Sequence, residues 1–460
     1  MFNYNFSSEN NYKKFNKNLK AEIDSCKRII DEGKIFLSME TVEDTMNDCV
    51  ENENYIDGIY FIDRLLEASP YNSDFWYKKG VILSFENKFL EAIKCFNKAI
   101  SLNPGDVEIY LDKSIAEEGL ELMDEAVNSL ETVLQMDTTN DEAYYSLGMI
   151  ALKEHNFIKA KQCFLKTITL NKEYTEVYFD LASCSEMLNE YVDALNFIDK
   201  YLEKDPYNEN AWYNRGVFLS ALKRKEEAIS SLDLALAIND YFPQAWFNKG
   251  ILVAELGQLH LALECFYNSL KYDAYDENTV YNIANIYCDL NNIKSAIEFY
   301  TKTITINNEY LSAYLGRAQC YSSQGHFISA LNDYQKAIDL SNSNLEAWLG
   351  KAEIEYLLGK LKDACLSYRN IIELEPKNFN ANLKFAQTLF ELGNYNNSIE
   401  SFKVCIKLDK NNFLPYYYLA KIYYILKDYI NVKKFLILTL SHVPNLKENL
   451  KKEFFEIDIN

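Results

Sequence analysis

Residues 73–106 read SDFWYKKGVILSFENKFLEAIKCFNKAISLNPGD. Trp76, Gly80, Leu83, Ala92, Phe96, Ala99 and Pro104 within this stretch mark two helices that meet at small residues and end at a proline. The pattern recurs along the chain. All four tryptophans, Trp76, Trp212, Trp246 and Trp348, are separated by multiples of 34 residues, the intervals being 136, 34 and 102. Such a period marks a stacked helix-turn-helix array in which each unit touches only its neighbours. Function in an array of this kind is sought on a surface and not in a pocket.

Frames of 34 residues laid from Met39, with tryptophan at position 4, fit the chain without insertion or deletion from residue 39 to 446. Position 20 reads Gly58, then nine alanines from Ala92 to Ala364, then Ser398 and Val432. Position 8 is small in every frame but the first, where it is Met46. Two helices joined by a short turn approach closely only where neither side chain pushes the backbones apart, so positions 8 and 20 become contact points. Large residues at position 24, such as Phe96, Phe164, Phe266, Tyr300 and Tyr334, fill the flanking space. Proline at position 32 (Pro70, Pro104, Pro206, Pro376) stops the second helix and stiffens the turn to the next unit.

On these residues the chain resembles the tetratricopeptide repeat family. The resemblance implies an all-α, right-handed superhelical solenoid of about twelve 34-residue helix-turn-helix repeats over residues 39–446. The first and last frames diverge, as terminal units do. Residues 1–38 read as an Asn-rich disordered start followed by a capping helix carrying Phe15, Leu19, Ile23, Cys26 and Ile30. Residues 447–460, with Leu450, Phe454 and Ile457, read as a C-terminal cap continuing a pattern that begins at Leu446.

Chemistry-bearing motifs are missing from the sequence. It holds no Gly-rich phosphate loop, no His-Glu-x-x-His and no Gly-x-Ser-x-Gly. The ten cysteines include no Cys-x-x-Cys pair, and they read as small buried hydrophobes of a reducing compartment. The four histidines fall at turn or terminal positions with no second ligand at metal spacing. No catalytic residue, metal or cofactor is therefore expected, and the chain is read as no enzyme. It lacks an apolar run long enough to span a bilayer and a secretory signal at its start, so the expected location is cytoplasmic.

Charge is uneven. Residues 39–242 carry 18 Lys plus Arg against 39 Asp plus Glu, which is the whole of the net charge of −21. An acidic array repels phosphate backbones and anionic lipid, which argues against nucleic acid and membranes as ligands. It attracts a basic partner, although the same charge also serves solubility.

Positions 2, 5, 6 and 9 of each first helix share the side away from the core, and in the resembled family that side lines the inner wall of the superhelix. Position 5 is aromatic or leucine in eleven of twelve frames, including Tyr213, Phe247 and Tyr281. It reads either as an apolar stripe for a partner or as packing between units. Asn214, Asn248 and Asn282 occupy position 6 in three successive units, and Asn285 follows at position 9. An amide offers a donor and an acceptor to an extended peptide, as in the peptide-clamping members of the family. Asp74, Glu108, Glu142 and Glu176 at position 2, with Asp112 and Asp180 at position 6, form an acidic inner edge. With no Lys at position 5 and no Lys or Arg at position 2, the family's clamp for acidic tails is missing.

The expected function is a non-enzymatic scaffold or adaptor, monomeric when free, that holds a protein or extended peptide with a basic segment in the concave groove. The alternatives are a structural subunit of a stable assembly that uses the convex face or the ends, and a regulatory subunit of an enzyme.

Overall fold

The structure, a computed structural model, describes residues 8–454 and Ile457. Among them are 26 α-helices and two short 3-10 turns, and no strand. The helices pack in consecutive pairs, and the contacts divide the chain into two compact units, 1–238 and 239–460. The division falls at the junction between the sixth and seventh frames.

Ser73–Phe85 and Phe89–Leu102 show why the sequence folds as it does. The side chain of Asn72 accepts from the backbone N–H groups of Asp74 and Phe75 and starts the first helix. Asparagine or aspartate at this place, position 34 of the preceding frame, does the same at Asn140, Asn208, Asp276, Asn344 and Asn378. The turn inside each pair spans three residues, and its middle residue, frame position 15, lies in the left-handed region in all twelve frames. In the best frame Asn87 has φ 59°, and the next amide, Lys88 N–H, reaches back to Leu83 O at 2.8 Å. This closure satisfies the last carbonyls of the first helix and folds the second back against it.

The tryptophan register has a hydrogen-bonding cause. Nε1 of Trp76, Trp212, Trp246 and Trp348 donates to the carbonyl six residues earlier, that of Pro70, Pro206, Asp240 and Asn342, at 2.8–3.0 Å. Tyr178, Tyr314 and Tyr416 make the same bond through their hydroxyls at 3.1–3.5 Å. Position 4 thus ties these units to the turns that lead into them.

Inside each pair, the alanines at position 20 have no exposed surface. In three frames position 8 is glycine and the phenylalanine at position 24 lies directly over it. A Cβ on Gly80, Gly148 or Gly250 would come within 2.4–2.7 Å of the ring of Phe96, Phe164 or Phe266.

Helix Ser8–Asp31 buries Leu19, Ile23 and Cys26 against Val42, Met46, Phe61 and Leu65 at the start of the first unit. Of the Asn-rich start, residues 1–7 lie outside the described residues, as does the side chain of Phe15. At the other end, Leu450 and Phe454 pack on Val432 and Leu436, with Leu446 and Ile457 beside them. No described helix is long and apolar enough to cross a membrane.

Candidate interaction surface

In the first unit the acidic positions converge on two bridges between successive repeats. Tyr77 at position 5 donates its hydroxyl to Asp112 Oδ2 at 2.7 Å, 35 residues on. Tyr145 and Asp180 act on one another in the same relation. Tyr145 and Tyr174 meet at 4.8 Å between ring centres, and Asp141, Glu142, Glu176 and Asp180 all act electrostatically on Tyr174. The groups acting on Asp112, Glu142 and Asp180 are carboxylates and tyrosines, with no Lys or Arg among them. Asp74 differs. It pairs with Lys78 at 2.9 Å, and Lys78 also binds Glu43, so this end of the acidic edge is locally neutralised.

Burial raises these carboxyls. Asp112 is pushed up by burial against the opposing bond from Tyr77. Glu142 is pushed up by burial and by Glu108, Asp112 and Asp141. Asp180 moves from 3.8 to about 6 through burial, with Glu176 adding and Tyr145 opposing. A carboxyl whose folded pKa lies above its unfolded value stabilises the fold below the unfolded pKa, and that stability is lost as pH rises through the folded pKa. Asp180→Asn should therefore stabilise the first unit at pH 8 by about 1–2 kcal/mol, the full shift being discounted for solvent screening, and by almost nothing near pH 4. Urea unfolding of both proteins at the two pH values checks this. An equal difference at both would remove Asp180 ionisation as the cause.

The aromatics of position 5 are half-buried because they lean on position 24 of their own repeat. Tyr77–Phe96, Tyr145–Phe164, Phe247–Phe266 and Tyr281–Tyr300 sit 5.7–6.2 Å apart, ring centre to ring centre. Tyr213 and Phe247 are half-buried. Packing therefore takes one side of this stripe.

The amide positions are split between the units. Asn214 belongs to the first, and Asn248, Asn282 and Asn285 belong to the second. Asn282 Nδ2 donates to Asn278 O of its own helix at 2.9 Å, and Asn285 Oδ1 accepts from the Tyr300 hydroxyl at 2.7 Å. Asn282 and Asn285 are thus oriented by the protein itself. After Asn282 the series stops at Gly316 and Gly350 for a steric reason. A Cβ there would lie 2.4 and 2.3 Å from Cζ of Tyr300 and Tyr334, the tyrosines at position 24 of the preceding repeat.

The sequence reading missed Tyr174 and Tyr310, which flank the position 5 tyrosines. Tyr310 lies 5.0 Å from Tyr281 between ring centres and donates to Asn278 Oδ1 at 3.0 Å. The signal was there, because both replace the usual capping asparagine at position 34.

The repeat register recurs in comparisons with known proteins. Models of the tetratricopeptide repeat match residues 73–106, 141–174, 197–230 and 379–412, and three of these four segments begin on a frame boundary. The chain is a tetratricopeptide repeat protein. As such it carries a protein-interaction domain, and protein partners are what its fold implies. A further model, that of the anaphase-promoting complex, cyclosome, subunit 3, matches residues 289–371. Anaphase-promoting complex subunit 3 of Schizosaccharomyces pombe is 23% identical over 163 residues, which is 35% of this chain and 24% of the relative. Protein O-mannosyl-transferase TMTC3 of Homo sapiens is 25% identical over 167 residues, 35% of this chain and 18% of the relative. The chain thus spans about a quarter or less of the length of these relatives. Among solved structures, yeast Tom70 aligns with 91% of this chain and 99% of its own at 15% identity and a TM-score of 0.37.

Proposed function

We propose that the chain is a non-enzymatic scaffold whose first unit holds a basic segment of a partner protein along the face bearing Glu108, Asp112, Glu142, Glu176 and Asp180. The carrying observation is that the groups acting on Glu142, Tyr174 and Asp180 are carboxylates and tyrosines, with no Lys or Arg among them. Carboxylates beside tyrosines and without a counter-ion gain most from an incoming Lys or Arg. In the second unit the edges of Phe247 and Tyr281 and the amides of Asn248, Asn282 and Asn285 offer apolar and hydrogen-bonding contacts of lower charge. A cytoplasmic location belongs to the same reading, since ten free thiols suit a reducing compartment.

The test is titration of an Arg/Lys-rich peptide into the full chain and into the triple variant Glu108→Gln, Asp112→Asn, Glu142→Gln. Affinity should fall steeply between about 50 and 500 mM salt, and the variant should bind about tenfold more weakly with unchanged helical circular dichroism. Affinity indifferent to both would end this reading.

A second reading, that of a subunit in a stable assembly, is favoured by the match of residues 289–371 to the subunit model of the anaphase-promoting complex. It would appear as a salt-resistant particle that forms equally well with the neutralised variant.

A further inference from the structure

We propose that Cys288 and Cys320 are a modification site at which a reversible disulfide joins two successive repeats of the second unit. Cys288 lies on Glu277–Asp289 and Cys320 on Leu311–Ser323, the first helices of neighbouring repeats. Their Sγ atoms are 3.3 Å apart across 32 residues of chain, already in contact. A disulfide bond is about 2.05 Å long, so the two sulphurs need approach by only about 1.3 Å.

The surroundings give the two thiols different roles. Cys288 is half-buried and reachable, whereas Cys320 is buried at 4% exposure directly behind it. The Tyr300 hydroxyl, which donates to Asn285, stands 3.6 Å from Cys288 Sγ and can accept from the thiol. Contacts with Cys320 and Tyr300 hold the Cys288 thiol below the ordinary cysteine range against the effect of burial. Elsewhere burial acts alone or nearly so: Cys49, Cys184 and Cys405 are pushed up to about 12. Being the more exposed of the pair, Cys288 is the nucleophile that meets the oxidant, and the buried Cys320 resolves it.

The oxidant is a hydroperoxide. The Cys288 thiolate attacks one peroxide oxygen, a sulphur–oxygen bond forms, the oxygen–oxygen bond breaks, and the departing hydroxide takes up the thiol's proton as water. Cys320 Sγ then attacks Cys288 Sγ. The sulphur–sulphur bond forms, the sulphur–oxygen bond breaks, and the second water carries away the Cys320 proton. Two thiols lose two electrons and two protons, and hydrogen peroxide becomes two waters. This chemistry is independent of what the acidic face of the first unit binds.

The experiment treats the native full chain with graded hydrogen peroxide, alkylates the remaining thiols, and maps the digest by mass spectrometry. The expected result is one linked peptide pair containing Cys288 and Cys320, reversed by dithiothreitol, with Cys288 consumed at least about tenfold faster than Cys405. Cys320→Ser should stop the reaction at a dimedone-reactive sulfenic acid on Cys288. If the wild-type chain kept both thiols alkylatable at peroxide levels that oxidise Cys405, or linked other cysteines equally, the assignment would be overturned. That reading needs no variant to fold.

Discussion

Arg317→Ala is expected to lower the stability of the second unit by about 3–5 kcal/mol. The guanidinium grips both carboxylate oxygens of Asp333, Nε at 2.8 Å and Nη2 at 2.7 Å, and Nη1 donates to Thr301 Oγ1 at 3.0 Å. Tyr314 and Tyr321 flank it, and Asp333 is only 6% exposed. Removing the arginine leaves a carboxylate in a site that water scarcely reaches, and the cost of that orphaned charge exceeds what the pair contributes when intact. Arg317→Met combined with Asp333→Leu should therefore recover much of the loss. Urea unfolding of the three proteins measures it. A single variant as stable as the parent would mean that the cleft hydrates freely.

The second large effect lies in the first unit. Phe164 has no exposed surface and rests on Gly148. Phe164→Ala empties that volume and should cost about 3–5 kcal/mol. Gly148→Ala acts in the opposite sense, because the new Cβ would lie 2.4 Å from Phe164 Cε1. Overpacking of about 1–3 kcal/mol outweighs the helix propensity of about 1 kcal/mol that alanine brings, so a net loss is expected. Gly148→Ala with Phe164→Leu should be more stable than either single variant. The chain already contains the compensated pairings, with Ser114 facing Leu130 and Ala182 facing Ile198 at the same two positions. Additive losses in the double variant, read by thermal unfolding, would disprove the coupling.

These two cases show what could be read from the residues alone. A small residue at position 8 facing a large apolar or aromatic one at position 24 is legible because the repeats meet the same steric demand, which is written in eleven of the twelve frames. The Arg317–Asp333 pair is written once. Its partners sit at positions 7 and 23 of one frame, and nothing in the spacing distinguishes them from solvated charges. The acidic edge was legible as composition, whereas the neutralisation of Asp74 by Lys78 depends on where one flexible side chain settles. The asparagine series was visible too. Its end at Gly316 was not, since it depends on a tyrosine ring of the preceding repeat leaning across the boundary. Periodic packing is recoverable from sequence, and single contacts between repeats need coordinates.

The hydrogen bonds that anchor the tryptophans give the chain built-in optical probes. Trp76 and Trp212 stand in the first compact unit and Trp246 and Trp348 in the second, each indole held by the turn before its repeat. Intrinsic fluorescence consequently senses the loosening of joints between repeats and not the melting of helices, which circular dichroism sees. A lag between the two signals during denaturation would resolve unstacking from unravelling without any added dye.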